Sequence, residues 1–279
     1  MKVLRSVLYM PSSNARALEK AMTLPADAII FDLEDAVAPD AKELARSQAC
    51  AAVTSGSYGG RVLTVRCNGL DTPWGADDLR AAAAASPAAV VVPKVSGVAH
   101  LRAVAELVGD LPIWAMIETP TAVFDIRAIA AFAQVEALVM GTNDLAKELR
   151  AALVPGRASL LPHLATALLG AREAGKAILD GVYNDVRDVA GLEAECIAGR
   201  QLGFDGKTLV HPTQVEVANR VWAPSAEDVA QAQEVVSAFA EAEAHGRGVV
   251  VVDGRMVENL HRDNALRTLA TAEAIAALT

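Results

Sequence analysis

The sequence predicts an α/β fold: a (β/α)8 TIM barrel over residues 1–223 with a C-terminal helical extension over residues 224–279. Three observations carry this. Short apolar runs alternate with helical segments through about residue 220. Several of the runs are continuously apolar, as strands buried on both faces of a parallel sheet are. The most conspicuous polar residues fall just after the runs, where such a barrel carries its chemistry.

The predicted strands are residues 4–10, 28–33, 62–66, 89–93, 113–117, 137–141, 177–179 and 207–210. The helical segments between and after them are 14–22, 41–53, 76–85, 98–108, 122–132, 159–174, 189–202 and 212–218. Ser12-Ser13 and Pro39-Asp40 supply helix-start signals for the first two. A doubly wound open sheet is the competing architecture. It usually has fewer strands and often a Gly-rich first turn, and no G-x-G-x-x-G follows any of these runs.

The pattern changes after Pro224-Ser225. A long helix is expected over 226–245, then a short strand over 249–252, the turn Asp253-Gly254 and a last helix near 259–278. So short a tail can hardly bury a core alone. It is read as packing on its own barrel or on a neighbouring subunit.

Composition narrows the function. The chain has 279 residues, is 53% hydrophobic and carries a net charge of −9. That suits a globular acidic protein and disfavours nucleic acid as a partner. The three cysteines form no C-x-x-C, and the five histidines no H-E-x-x-H. No signal-peptide pattern opens the chain and no apolar run has the length of a membrane span. The expected location is cytoplasmic, with no membrane partner.

The polar strand ends then define a candidate pocket. FDLEDAV, residues 31–37, places Asp32, Glu34 and Asp35 at the end of the second strand. Acids this dense call for a nearby cation or a solvated turn. The third strand ends in Arg66, Cys67 and Asn68, the fourth in Lys94, the fifth in Glu118 and the sixth in Thr142, Asn143 and Asp144; Asp180 and His211 end the last two. Glu118 and Asp144 on neighbouring strands suit Mg²⁺, which keeps part of its water shell. Alternatively they cap the helices that follow. Arg66 either pairs with the acidic cluster or grips a substrate carboxylate. Lys94 is either a Schiff-base nucleophile or a neutralising cation. Arg16 and Lys20, four apart on the first helix, form either a phosphate patch with Arg5 or a solvated face. His211 reads as a structural hydrogen-bonding residue, and Cys67 as a buried small side chain.

These residues, taken in order, resemble a known family. Leu8-Tyr9-Met10-Pro11, Phe31 through Val37, Val65-Arg66-Cys67-Asn68, Val92-Pro93-Lys94, Ile117-Glu118-Thr119, Gly141 through Leu145, Asp180-Gly181-Val182-Tyr183, Gly203 through Lys207, His211 through Gln214 and Asp253-Gly254-Arg255-Met256 match the citrate lyase β-subunit-like family. It includes malyl-CoA and citramalyl-CoA lyases and falls in the HpcH/HpaI aldolase superfamily. The resemblance covers nearly the whole chain. It implies a Mg²⁺-dependent carbon–carbon lyase of a 3-hydroxyacyl-CoA acid that yields acetyl-CoA and a 2-oxo acid, or runs in reverse. It also implies a homo-oligomer, a trimer or a multiple of one. Carried over by position, Glu118 and Asp144 would be the metal ligands, with Asp32, Glu34 and Asp35 holding the metal's waters. Arg66 would hold the substrate's carboxylate or developing enolate. Backbone N–H groups near Gly141 and Thr142 would hold the carboxylate's other edge, and Arg16 and Lys20 the CoA phosphates.

One position departs. Where the family's lyases usually have an Asp that serves a neighbouring subunit's site as acid/base, this chain has Glu258, and Leu260 stands where Pro is common. A carboxylate moved by one methylene changes hydrogen-bond reach. The resemblance therefore leaves open a malyl-CoA-type thioesterase, and a citryl-carrier-protein lyase subunit whose substrate rides on an acyl-carrier protein. A Schiff-base aldolase through Lys94 lies outside it.

Overall fold

A computed structural model describes residues 2–244, 250–252 and 255–278. Two compact units emerge: residues 4–220, and residues 1–3 with 221–279.

The larger unit is a closed barrel of eight parallel strands in sequential order. In chain order its elements are β1 (Ser6–Pro11), α1 (Ala15–Ala21), β2 (Ala28–Asp32), α2 (Lys42–Thr54), β3 (Val62–Arg66), α3 (Gly75–Ala85), β4 (Ala89–Val92), α4 (Val98–Val108), β5 (Ile113–Ile117), α5 (Pro120–Phe124), α6 (Ile126–Ala131), β6 (Val135–Met140), α7 (Thr142–Leu149), α8 (Leu161–Glu173), β7 (Ala177–Asp180), α9 (Val189–Leu202) and β8 (Gly206–Leu209), with α10 (Val215–Trp222) beyond. The predicted barrel is the observed fold.

Strand periodicity positions the site. Side chains alternate faces along a strand. Ala28 and Ile30, Ala89 and Val91, Trp114 and Met116, Ala137 and Val139, and Leu179 pack together as one buried cluster. Continuing the same parity upward brings Asp32, Arg66, Glu118 and Gly141 to the C-terminal mouth. Register fixes the first pair, because Asp32 is the direct partner of Arg66 across β2 and β3.

Two helical details differ from expectation. Residues 122–132 do not form one helix. Thr119 caps α5 by accepting from the Ala122 N–H at 3.1 Å, and Asp125, at φ −91° and ψ 9°, breaks it from α6. A whole helix, α7, follows β6 directly and ends at Arg150 in the left-handed region, φ 53°.

The second unit contains α11 (Ala226–Ala244), a hairpin of β9 (Val250–Val252) and β10 (Arg255–Val257), and α12 (Asn259–Ala276). A hairpin thus replaces the single expected strand. Ala232, Val235, Phe239, Val257 and Ala265 form a small core of its own. The predicted turn Asp253-Gly254, His245 and residues 246–249 lie outside the described residues.

Candidate active site

A cavity of ≈ 320 Å³ opens at the barrel mouth. Tyr9, Asp32, Asp35, Arg66, Met116, Glu118, Met140, Gly141, Thr142 and Asp144 are among its lining residues. Its size suits a small polar acyl group.

Arg66 is the most constrained of these. Nε donates to Asp32 Oδ1 at 2.7 Å and Nη2 to Asp32 Oδ2 at 2.6 Å. Nη1 meets Glu34 Oε2 at 2.8 Å and Asp35 Oδ2 at 3.5 Å. The guanidinium lies 4.8 Å over the Tyr9 ring. Burial opposes its charge, but Asp32, with Tyr9 and Glu34, more than offsets this and raises its pKa well above the ordinary arginine value. A guanidinium has five N–H donors. The acids leave the second Nη2 N–H uncommitted, on a side chain that lines the cavity.

The acidic turn therefore positions Arg66. Asp32 is saturated: besides Arg66 it accepts from the N–H of Glu34 at 2.9 Å and of Ala36 at 3.2 Å. Glu34 bridges Arg66 to Lys94, whose Nζ lies 3.0 Å from Oε1. Burial raises the Glu34 pKa, and Arg66 pulls the other way.

Glu118 and Asp144 do not cap helices. Thr119 takes that role for α5, and Gly141 occupies the N-cap of α7. Glu118 is buried and accepts from the Lys94 N–H at 2.6 Å. Lys94 reaches this geometry in the left-handed region, φ 49°. Burial, then Glu34 and Asp144, push the Glu118 pKa up to about 7, against the pull of the Lys94 N–H. Asp144 lies in the first turn of α7 and lines the same cavity. Among the described residues its carboxylate makes no hydrogen bond or ion pair. Two carboxylates on a cavity whose Arg66 is already paired with the acidic turn are a fit for Mg²⁺, with water and substrate oxygens able to complete its shell. No group of three or more His, Cys, Asp or Glu side chains in metal-binding array occurs among the described residues.

Several strand-end readings need correction. The Gly141 N–H is already committed to the Ile117 carbonyl at 3.1 Å. Gly141 contributes space instead, because a Cβ there would collide with Glu118. The open donors are the first N–H groups of α7, beginning with Thr142. Asp180 does not join the cavity. It follows inward-facing Leu179, so alternation turns it toward the helices, where it meets Arg157 Nη1 at 2.6 Å and Lys207 Nζ at 3.0 Å. Glu195, itself half-buried, completes that quartet, 2.7 Å from Lys207 and 3.3 Å from Arg157. His211 does not join the cavity but is the structural hydrogen-bonding residue expected: exposed, it pairs with Thr213 and caps the turn that follows, while its neighbour Val210 lines the cavity. Cys67 is the buried small side chain expected, and burial pushes its thiol pKa well up. Arg5 is gripped by Asp27 at 2.7 and 2.9 Å, so it does not join Arg16 and Lys20. Those two stay exposed on α1.

Lys94 is held as an ammonium. Burial lowers its pKa, but the hydrogen bond and charge of Glu34 win, and the net shift is upward. A Schiff-base nucleophile needs the opposite.

Sequence reasoning missed Tyr9 and Lys42. Tyr9 gives Arg66 an aromatic floor, and its one sequence signal is a polar-tipped aromatic in an apolar strand. Lys42 donates from a buried position to the backbone of the acidic turn.

Comparison with known proteins fits this geometry. Residues 5–212 match the family model described as HpcH/HpaI aldolase/citrate lyase. The chain belongs to this family. Residues 158–276 match a second model, a C–C bond lyase of the TIM-barrel fold. The family is one of carbon–carbon lyases acting on CoA-linked substrates. A (3S)-malyl-CoA thioesterase of Cereibacter sphaeroides is 55% identical over 98% of this chain and 96% of its own length. The citrate lyase subunit beta of Escherichia coli K12 is 33% identical over 96% and 93%. The crystal structure of CitE from Mycobacterium tuberculosis with magnesium, acetoacetate and coenzyme A superposes with a TM-score of 0.82 at 28% identity, covering 96% of this chain and 97% of that one. No helix among the described residues is long and apolar enough to cross a membrane.

Proposed function

We propose that this protein hydrolyses the thioester of a malyl-CoA-type 3-hydroxyacyl-CoA, releasing CoA and the free hydroxy acid. The observation that carries this reading is its 55% identity over 98% of the chain to a (3S)-malyl-CoA thioesterase, against 33% to a citrate lyase β subunit. The departure at Glu258 points the same way.

In this reading Glu118 and Asp144 hold Mg²⁺. Held there, the ion would supply Lewis-acid polarisation of substrate oxygens. Arg66 directs its open N–H at the carboxylate or the oxyanion that develops at the thioester carbonyl. The first N–H groups of α7, at Thr142, take the carboxylate's other edge. Arg16 and Lys20 meet the CoA phosphates. Glu258 serves as acid/base from the second unit, in a homo-oligomer. In that unit it precedes α12 and donates its N–H to His261 Nδ1 at 3.0 Å. In hydrolysis a water oxygen bonds to the thioester carbon, the C–S bond breaks, and the thiolate takes up a proton.

The family's carbon–carbon chemistry is the second reading. There the hydroxyl loses its proton, the C–C bond breaks, and its electron pair forms the enolate of acetyl-CoA. The same Arg66 geometry serves both. Mass spectrometry of products from malyl-CoA and citramalyl-CoA, with Mg²⁺ and with EDTA, separates them. Free CoA with intact hydroxy acid supports the thioesterase. Acetyl-CoA with glyoxylate or pyruvate favours the lyase. No turnover of either CoA ester overturns both and leaves an acyl-carrier-protein substrate as the next assay.

A further inference from the structure

Lys42 opens α2 and is only 6% exposed. Its Nζ donates to the Leu33 carbonyl at 2.7 Å, the Glu34 carbonyl at 2.7 Å and Asn68 Oδ1 at 2.8 Å. It also lies 5.3 Å from the centroid of the Trp74 ring. All three N–H donors of the ammonium are used. The arrangement is costly in three separate ways. Lysine is rarely buried so fully. A cation in the first turn of a helix opposes the helix dipole. Fixing so long a side chain removes rotamer entropy.

The two carbonyls belong to the residues between Asp32 and Asp35, and all three acids of that turn touch Arg66. The Leu33 N–H also donates to the Arg66 carbonyl at 2.9 Å. Asn68 braces the same place: its Nδ2 donates to the Leu33 carbonyl at 2.9 Å and to Asp78 at 2.6 Å. Asp78 in turn receives Arg46 at 2.6 Å. Lys42 is thus the point where a chain of buried polar contacts meets the acidic turn.

We propose that Lys42 is a positioning residue: its ammonium holds the turn 32–35 in the shape that keeps Arg66 aimed across the cavity. The proposal rests on the reading of Arg66 as the partner of a substrate carboxylate. It makes Lys42 act on the ligand only through Arg66.

A double-mutant cycle on ligand affinity tests this. L-Malate with Mg²⁺ is titrated calorimetrically into the full-length wild type, Lys42→Met, Arg66→Lys and the double variant. Lys42→Met is expected to weaken malate by about 10-fold in the wild-type background and by less than about twofold in the Arg66→Lys background. Equal losses in both backgrounds, or unchanged affinity of folded Lys42→Met, overturn the proposal alone. Failure of the wild type to bind malate overturns the reading of Arg66 and the proposal with it. If Lys42→Met does not fold, Lys42→Gln, which removes the ammonium but keeps a shorter N–H donor and leaves Asn68 in place, carries the same cycle and the same outcomes.

Discussion

Glu118 occupies space that any side chain on Gly141 would take. A methyl built on Gly141 would lie 2.5 Å from the Glu118 Cβ and closer still to its carboxylate. The Gly141 φ of −95° is open to any residue, so glycine is required here for room and not for conformation. Gly141→Ala is expected to displace Glu118 and lower kcat by about 10²-fold. Steady-state turnover with Mg²⁺ checks this, and an unchanged kcat would show that the Glu118 carboxylate does not need its present position.

Glu118 also sets a pH dependence of stability. Its folded pKa of about 7 lies above the ordinary 4.5. The folded state therefore holds this proton more tightly than the unfolded state does. The destabilisation is absent below the lower value, grows between the two and is complete above the upper one. Metal-free protein should lose on the order of 3 kcal/mol from this group as pH rises through that window. Urea denaturation in EDTA across the window reads the slope, and Glu118→Gln should flatten it.

Removing Arg66 strands charge. Arg66→Ala leaves buried Asp32 without its cation and Glu34 with only the exposed Lys94, and should cost about 3–5 kcal/mol. Chemical denaturation measures that loss. Arg66→Lys should recover much of the stability but little of the turnover, because an ammonium cannot span both oxygens of Asp32.

Lys94 should not be trapped by borohydride in the presence of pyruvate or glyoxylate, since Glu34 keeps it protonated. Intact-mass measurement decides. A covalent adduct on Lys94 would refute the assignment. Lys94→Ala keeps the backbone N–H that Glu118 uses and should retain measurable activity.

The quartet of Arg157, Asp180, Glu195 and Lys207 should behave oppositely to the mouth. Lys207→Met leaves Asp180 and Glu195 short of a buried cation and should cost about 3–5 kcal/mol. KM of the folded fraction should stay within about twofold of wild type, because none of the four lines the candidate cavity. Thermal denaturation alongside kinetics at a low temperature separates the two effects.

The barrel was legible because hydrophobic runs and helical segments repeat with little interruption. Glu118, Asp144, Arg66 and Asp32 were legible because parallel strands bring their C-terminal ends together. Parity was harder to apply at the last strands. Asp180 follows the same kind of apolar run as Asp32, yet one residue of phase separates the cavity from the helical layer. Lys42 was hidden for another reason: a lysine in a first helical turn reads as solvated, and its burial depends on acceptors contributed by Leu33, Glu34 and Asn68. Nor does sequence reveal that Thr119 takes the cap, which frees Glu118.

The pairing of Asp32 with Arg66 across β2 and β3 has a consequence for assembly of the barrel itself. A slip of one residue between these strands would send Arg66 to the opposite face of the sheet and leave Asp32 buried beside a hydrocarbon. The misaligned sheet would carry an unpaired anion in its interior. The ion pair that shapes the mouth therefore also proofreads strand alignment, and a chain that closes its barrel incorrectly forfeits its binding site in the same error.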